Sequence, residues 1–405
     1  MLTSEQTGRN NGRLNANTHA RRQGGHHERS GKEAHALDRR WRTGGINTAE
    51  CLIAMEAQLN RITGMQQPLG KRFDMIGGTS TGAILAAGLC LGRSATELRD
   101  FYLSYGEEIF TKVVLPLRFW HKYSADPLTG RLKEKFGEAT KLSDGTLLTN
   151  LLVVSKNATQ GATWFFNNNP RGKFFANNRD LPLWQVVRSS TAAPTYFPPQ
   201  KMAVPDATGR TVEYEFIDGG VSTFNNPAFQ VFLEATEPSY AYGWPTGVDK
   251  LLLISLGTGY CPLSIAGGKA SDYNILDWAK YTVSDLLDDA NLQQNLLMLL
   301  IGERPPGVRS AIREMSEAGV NDGAPSANAL ETVGARLGAT KLLTYQRCTI
   351  GLTRKRLDGR GLNDIDPGRV REMDAVDQME NMQRIGLAIA KEQVSMERVK
   401  DFFVS

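Results

Sequence analysis

A serine with the spacing of an activated nucleophile lies in the pentapeptide Gly78-Thr79-Ser80-Thr81-Gly82. The apolar segment 73–76 precedes it and an Ala/Leu-rich segment follows, so we predict a strand, a sharp turn and a helix. In a G-x-S-x-G elbow the turn raises the hydroxyl above the sheet, and the helix N-terminus faces developing negative charge. The pattern alone is common in turns, but its place between a strand and a helix favours a nucleophile.

The base that would activate Ser80 is not predicted to be a histidine. A Ser-Asp-His hydrolase of this type places its aspartate and histidine downstream of the serine. Only His121 follows Ser80, and it lies in the aromatic and basic stretch 117–123, which is typical of a surface or packing residue. The other histidines precede Ser80, at His19, His26, His27 and His35. The sequence therefore predicts a carboxylate base.

The leading carboxylate is Asp218, which follows the predicted strand 212–217 and precedes Gly219 and Gly220. Asp-Gly-Gly by itself is a common turn. Open α/β sheets, however, gather their functional groups at the carboxyl ends of strands, where the strand before Ser80 also ends. With an activated serine and no histidine, Asp218 becomes the candidate base.

The segments around these residues alternate between strand and helix patterns. Ser94 and Glu97 form a capping box that predicts a helix start. Further helices are predicted at 48–62 and 183–192, and further strands at 149–155, 163–167 and 250–256. From residue 276 onward the pattern is mostly helical, with long helices at 276–301 and 370–402. This alternation predicts an α/β fold with a mainly parallel sheet covered by helices, in a single domain over residues 41–405.

The basic excess of the chain lies in its first residues. The 405 residues carry a net charge of +4, of which residues 1–42 contribute +5 and the remainder −1. Residues 1–40 hold almost no apolar side chains, so we predict a disordered, solvated tail. Contact with an anionic membrane is an alternative for it, and nucleic-acid binding has no support outside the tail.

No secretory signal and no apolar run of about 20 residues is apparent, which predicts a cytoplasmic protein without a transmembrane segment. The cysteines have no CxxC spacing, so we interpret them as reduced thiols that bind no metal. They are Cys51, Cys90, Cys261 and Cys348. The chemistry proposed for Ser80 requires no cofactor, and the sequence indicates none.

Four segments in order resemble the patatin-like phospholipase family. They are residues 73–82 (FDMIGGTSTG), 189–198 (SSTAAPTYFP), 216–221 (FIDGGV) and 253–259 (LISLGTG). The resemblance covers about residues 44–260 and implies a three-layer α/β sandwich, with residues 261–405 as helical additions. It also implies Ser80 as nucleophile, Asp218 as general base, and hydrolysis of acyl esters in phospholipids or related lipids through an acyl-enzyme, without calcium. Such a substrate implies transient contact with a membrane surface; no oligomeric state is predicted.

The sequence departs from the family at the oxyanion loop. The family typically has Asp-Gly-Gly-Gly-x-Arg-Gly after its first strand, whereas this chain has Arg39 to Thr43 between Asp38 and Gly44. No apolar strand is predicted before Asp38 either. The remaining oxyanion candidates are the N–H groups of Gly44, Gly45 and Thr81.

Three explanations of this loop stay open: a divergent active loop, a damaged enzyme, or a local reading-frame slip, because GGN codons read out of phase give Arg and Trp codons. Three functions follow from the same residues. The first is a lipid acyl hydrolase, the second a catalytically impaired protein that binds lipid or a partner, and the third a hydrolase of small soluble esters. The aromatic and basic stretch 112–122 is an additional candidate for headgroup contact, with an ordinary core segment as the alternative.

Overall fold

The fold is built around one mixed sheet. The structure, a computed structural model, describes residues 12–18, 43–109, 121–206, 208–260, 270–308, 340–371 and 375–404. The strands are β1 (Gly12–Thr18), β2 (Met75–Thr79), β3 (Asn150–Asn157), β4 (Ala162–Asn167), β5 (Gln200–Pro205), β6 (Thr211–Asp218), β7 (Leu251–Gly257), β8 (Gly302–Glu303) and β9 (Leu343–Cys348). The α-helices are α1 (Thr43–Thr63), α2 (Thr81–Cys90), α3 (Ala95–Ile109), α4 (Asp126–Phe136), α5 (Phe175–Asn178), α6 (Leu183–Ser190), α7 (Ala228–Thr236), α8 (Ile275–Ile301), α9 (Arg354–Asp358) and α10 (Met379–Gln393).

The strands run in the order β5-β6-β3-β2-β1-β7-β9-β8, and β4 pairs with β3 off this path. The pairs from β3 to β8 along the path are parallel, whereas β4, β5 and β6 pair in antiparallel fashion. The prediction of a mainly parallel sheet is therefore confirmed. The antiparallel strands form one end of the sheet, beside β3.

Alternate residues of the central strands pack on opposite faces of the sheet. In β7, Leu252 and Ile254 belong to one apolar core, while Leu251 and Leu253 belong to a second one. The first core also contains side chains of α1, α2, α6 and α10, and the second contains side chains of α7 and α8. Because both faces of the sheet are covered, β7 is apolar at every position except Ser255 and Gly257. Helices, sheet and helices thus form a three-layer α/β sandwich.

Strand β1 was not predicted. Its residues pair in parallel with β2 on one side and with β7 on the other, so this segment lies at the centre of the sheet. Leu14 and Ala16 are its only apolar residues, and hydrophobic periodicity therefore gave no signal for a buried strand. The remainder of the predicted tail lies outside the described residues.

The C-terminal part is less helical than predicted. Helix α8 agrees with the prediction at 276–301, but the predicted helix 370–402 is divided into 3₁₀ turns and the shorter α10. Strand β9 was missed because its inward polar residues hide the apolar pattern. Gln346 donates to the carbonyl of Gln393 at 2.7 Å, and Arg347 donates to Ser255 Oγ at 2.6 Å. Tertiary hydrogen bonds of this kind cannot be predicted from local sequence.

The predicted capping box is confirmed at the start of α3. The Ser94 N–H donates to Glu97 Oε2 at 2.8 Å, and the Glu97 N–H donates to Ser94 Oγ at 3.2 Å. Each side chain thereby satisfies a backbone donor that the helix leaves without a partner.

None of the described helices combines the length and the apolar character that crossing a bilayer requires. Cys51, Cys90 and Cys348 are free, buried thiols. Burial raises the pKa of Cys348 to about 12 and also raises the pKa of Cys51 and Cys90. These thiols are therefore protonated at neutral pH and chemically inert. Cys261 lies outside the described residues.

Glu234 on α7 should make stability depend on pH. Its side chain is 1% exposed, accepts hydrogen bonds from Asn167 and Gln230, and burial raises its pKa from 4.5 to about 7. Between pH 4.5 and 7 the folded state thus binds a proton that the unfolded state has released. The stabilisation that this proton gives the folded state is complete below pH 4.5 and is lost as the pH rises towards 7. We expect the free energy of unfolding to fall by roughly 2–3 kcal/mol across this interval.

Denaturant unfolding between pH 4.5 and 8 measures this effect. In Glu234→Gln the free energy of unfolding should fall less steeply with pH. Glu303→Gln changes an exposed residue and should keep the wild-type dependence on pH. An unchanged dependence of the free energy of unfolding on pH in Glu234→Gln would contradict the raised pKa of Glu234.

Candidate active site

The backbone around Ser80 forms a sharp elbow between β2 and α2. Ser80 has φ 57° and ψ −124°, a conformation that non-glycine residues rarely adopt. Gly78 is required by the same turn, because a Cβ at this position would collide with the carbonyl oxygen of Gly82. Strain at such a position is typical of functional residues. The strand, turn and helix predicted around Ser80 are therefore present, although the strand is β2 (Met75–Thr79) rather than 73–76.

Strand β3 brings Ser80 and Asp218 together. Thr79, at the end of β2, is opposite Val154, and Asp218, at the end of β6, is opposite the next residue, Ser155. Since β2 is parallel to β3 and β6 is antiparallel to it, the carboxyl ends of β2 and β6 meet at this point. As a result, Ser80 Oγ donates a hydrogen bond of 2.5 Å to Asp218 Oδ2.

The Asp218 carboxylate is held on its other side by its own turn. Its Oδ1 accepts from the N–H of Gly220 at 2.7 Å, and this contact caps the 3₁₀ turn Gly219–Val221. The Asp218 N–H donates to the carbonyl of Ala192 at 2.9 Å. Ser80 and Asp218 are each 2% exposed. One carboxylate oxygen is thus positioned by the backbone and the other faces the serine, which is the arrangement that a general base requires.

Ser190 supports the elbow, a role that sequence analysis missed. The Ser80 N–H donates to Ser190 Oγ at 2.8 Å, and Ser190 Oγ donates to the carbonyl of Val154 at 2.6 Å. The hydroxyl therefore links the strained residue to β3. The segment 189–198 was noticed for its resemblance to the family, but the sequence does not indicate which of its two serines faces Ser80.

Replacing Ser190 with alanine should weaken the site and the fold together. The variant leaves the buried Ser80 N–H and Val154 carbonyl without their partner, which costs about 1–3 kcal/mol. We expect a lower free energy of unfolding and slower labelling of Ser80 by a fluorophosphonate. The matched control is Ser189→Ala, because Ser189 Oγ donates only to the carbonyl of Val186 in its own helix. Equal behaviour of the two variants would contradict this role.

The oxyanion candidates lie at two helix starts. Gly44 and Gly45 are in the first turn of α1, which begins five residues earlier than predicted, and Thr81 is the first residue of α2. The first N–H groups of a helix have no partner inside it. Tyr102 connects the two starts: a Cβ on Gly45 would lie 2.7 Å from Tyr102 Cζ, and Tyr102 Oη donates to the Thr81 carbonyl at 3.0 Å. Residues 36–42, which replace the glycine-rich loop, lie outside the described residues.

The structure does not bring His121 into the site. His121 is partly exposed and forms no hydrogen bond or ion pair with the described residues, and the other four histidines lie outside them. Within the described ranges, no three His, Cys, Asp or Glu side chains cluster in a way that could hold a metal ion. Of the stretch 112–122, residues 112–120 lie outside the described part, and Lys122 stacks on Tyr123 and Tyr196.

Together, the fold and the elbow define an α/β protein in which a serine and an aspartate are in direct contact. Residues 44–232 match the patatin-like phospholipase family. The resemblance found in the sequence is thereby confirmed over this part of the chain.

Curated relatives include potato proteins. The chain is 31% identical to Patatin-16 and 31% identical to Patatin-1-Kuras 2 of Solanum tuberosum, each over 228 residues. The matches cover 53% of this chain and 57% and 59% of the two relatives, so the chain spans little more than half the length of the curated relatives it matches. Among solved structures, VipD from Legionella pneumophila has a TM-score of 0.34 and 11% identity, with 94% of this chain and 67% of that chain covered.

Proposed function

We propose that the chain is a lipid acyl hydrolase that cleaves carboxylic esters with Ser80 as nucleophile and Asp218 as general base. The observation that carries the proposal is the 2.5 Å hydrogen bond from Ser80 Oγ to Asp218 Oδ2 at a strained elbow. The match to the patatin-like phospholipase family supports hydrolysis of lipid esters. The mechanism uses no histidine.

The reaction proceeds in two steps. In the first, Ser80 Oγ attacks the ester carbonyl carbon while Asp218 takes the hydroxyl proton, and the carbon–oxygen bond to the alcohol then breaks as Asp218 returns that proton to the leaving alcohol. In the second, Asp218 takes a proton from water, the resulting hydroxide attacks the acyl-serine, and the free acid leaves as Ser80 regains its proton. In both steps the proton passes only between the two side chains, the leaving alcohol and water.

The negatively charged oxygen of each tetrahedral intermediate requires hydrogen-bond donors that stabilise it. We assign this role to the N–H of Thr81 at the start of α2, with the N–H groups of Gly44 and Gly45 at the start of α1 as the second contribution. Both helix dipoles place their positive ends at these residues. Removal of one oxyanion donor typically lowers kcat by about 10²–10³-fold, so these donors determine how fast the intact dyad can work.

Phospholipids or related acyl lipids are the proposed substrates, which requires transient contact with a membrane surface from the cytoplasm. A hydrolase of small soluble esters would use the same dyad. A protein with an impaired oxyanion loop would bind lipid or a partner without turnover, and the replacement of the loop glycines by Arg39 to Thr43 is the observation that favours it.

Incubation with three substrates separates these functions. The substrates are phosphatidylcholine vesicles, a short-chain phosphatidylcholine below its aggregation concentration, and soluble nitrophenyl acetate. The proposal predicts release of fatty acid that is fastest from vesicles. Fast cleavage of the acetate alone would indicate a soluble esterase. Vesicle binding in a sedimentation assay without any release would indicate the impaired form.

A further inference from the structure

A cavity of about 670 Å³ lies at the edge of the sheet, between β4, β5 and α5. Strand β4 pairs with β3 and lies off the main path of the sheet. Of the described residues that line this cavity, none belongs to the dyad, the elbow or the candidate oxyanion donors. Its volume falls within the range of about 300–1,000 Å³ that is usual for sites that bind small molecules. The cavity is therefore a candidate binding site that the proposed reaction does not use.

The walls of the cavity are largely aromatic and aliphatic. Trp164 and Phe165 of β4 line it, together with Val204 of β5. The ring centre of Trp164 lies 5.1 Å from that of Tyr214, so the two rings pack against each other. Phe174 also lines the cavity and is 60% exposed, which places it where the cavity meets solvent. Walls of this kind favour a ligand with a hydrocarbon body, because the ligand removes their apolar surface from water.

Three polar side chains that line the cavity have hydrogen-bond donors to offer. Asn178 and Tyr214 are 6% and 8% exposed, and neither the amide nor the hydroxyl forms a hydrogen bond with the described residues. Most buried polar groups in proteins have a partner, because a buried group without one destabilises the fold. Lys173 is exposed, lies 5.4 Å from the ring centre of Phe174 and forms no ion pair within the described part of the chain. These groups match a ligand whose head is negatively charged and rich in acceptors.

The two carboxyl groups that line the cavity have donors of their own. Asp206 accepts from the N–H and the hydroxyl of Thr208, at 2.8 and 2.6 Å, and forms an ion pair with Arg210 at 3.3 Å. Glu234 accepts from Asn167 at 2.6 Å, and burial raises its pKa to about 7. Arg210 thus balances the charge of Asp206, and Glu234 is mainly neutral at pH 6. These carboxyl groups do not require a cationic ligand, and they repel a negative head only weakly at this pH.

We propose that this cavity binds a fatty acid in its carboxylate form. The carboxylate accepts from Asn178, Tyr214 and Lys173, and the alkyl chain lies along Trp164 and Phe165. A fatty acid is what the proposed hydrolysis releases, so the choice of this ligand rests on the proposed function. Its single negative charge matches the single charge of Lys173. The other product of that reaction, a lysophospholipid, offers a phosphate as a second source of anionic oxygen, and the test includes it.

Isothermal titration with decanoate, below its micelle-forming concentration and at pH 6, tests the proposal. At this pH the carboxyl group of the ligand is ionised. Asn178→Leu keeps the size of the side chain and removes the amide, and we expect its affinity for decanoate to fall by about 10-fold or more, because a hydrogen bond to a charged group is lost. Lys173→Met should lower the affinity by about 3-fold, a smaller effect because this lysine is exposed. Ala162→Trp, which fills the cavity from β4, should abolish binding.

Matched controls separate binding in the cavity from other effects. Ser80→Ala changes the nucleophile and Lys391→Met changes an exposed lysine outside the cavity, and both should bind decanoate as the wild type does. Asn178→Leu should keep or raise the free energy of unfolding, because it removes a buried amide that has no partner among the described residues. A less stable Asn178→Leu protein would give the amide a structural role and would overturn the proposal.

Three further results would overturn it. These are no binding of decanoate to the wild type, equal affinity in the wild type, Asn178→Leu and Ala162→Trp, and equal affinity of the wild type for decyltrimethylammonium. Tighter binding of decanoyl lysophosphatidylcholine than of decanoate would overturn the choice of a carboxylate in favour of a phosphate. Because titration needs no turnover, failure of the proposed function is detected separately, as a wild-type protein that binds decanoate but releases no fatty acid from vesicles.

Discussion

Replacing Ser80 with alanine is expected to reduce the hydrolysis of a phospholipid by at least about 10³-fold, because no acyl-enzyme can form. Asp218→Asn should have an effect of similar size. The asparagine keeps the shape of the side chain and can still accept from Gly220, but it cannot take a proton from Ser80. The measurement is the initial rate of fatty-acid release from vesicles, at several pH values between 5 and 9.

Matched controls separate chemistry from folding in these variants. Ser189→Ala removes a neighbouring hydroxyl that faces its own helix, and Asp126→Asn removes an exposed aspartate. Both should keep the wild-type rate within about a factor of 3. A Ser80→Ala protein that retains a tenth or more of the wild-type rate would contradict the role of Ser80. Full activity of Asp218→Asn would show that another group acts as base.

Restoring the oxyanion loop should have the second largest effect, in the opposite direction. The triple variant Arg39→Gly/Arg40→Gly/Trp41→Gly returns three glycines to the place where the family has them. Glycine adopts the backbone conformations that aim consecutive N–H groups at one oxygen, whereas bulky residues disfavour them. A regained donor is worth about 10²–10³-fold, and we expect kcat to rise towards this range.

The control for the loop variant is Arg21→Gly/Arg22→Gly, which removes the same two positive charges from the N-terminal segment and should leave kcat unchanged. An equal rise in both variants would attribute the effect to charge. No rise in the triple variant would mean that the N–H groups of Gly44, Gly45 and Thr81 stabilise the oxyanion fully without the loop glycines, and the chain would then have a divergent but complete site.

The parts of the site that depend on short sequence patterns could be predicted. The elbow at Ser80 follows from glycine spacing between a strand and a helix, and Asp218 follows from its position at a strand end and from the lack of a downstream histidine other than His121. What the sequence cannot give is the register on β3 that places these two ends side by side. That register depends on the pairing of Thr79 with Val154 and of Ser155 with Asp218, residues that are far apart in the sequence.

The role of Ser190 could not be predicted for the same reason. A serine on a short helix is an ordinary residue until the fold places it against the Ser80 N–H. Strands β1 and β9 were not predicted because their few apolar residues show no hydrophobic periodicity. In β9, Gln346 and Arg347 are buried by hydrogen bonds to distant partners, which favour a strand that local propensity does not indicate.

The central claim is that Ser80 is an activated nucleophile, and intact-mass analysis after reaction with a fluorophosphonate tests it most directly. The wild type is expected to gain the mass of one adduct, the Ser80→Ala variant none, and Asp218→Asn an adduct that forms far more slowly. A folded wild-type protein that gains no adduct would contradict the account and would favour a protein that binds lipid without turnover.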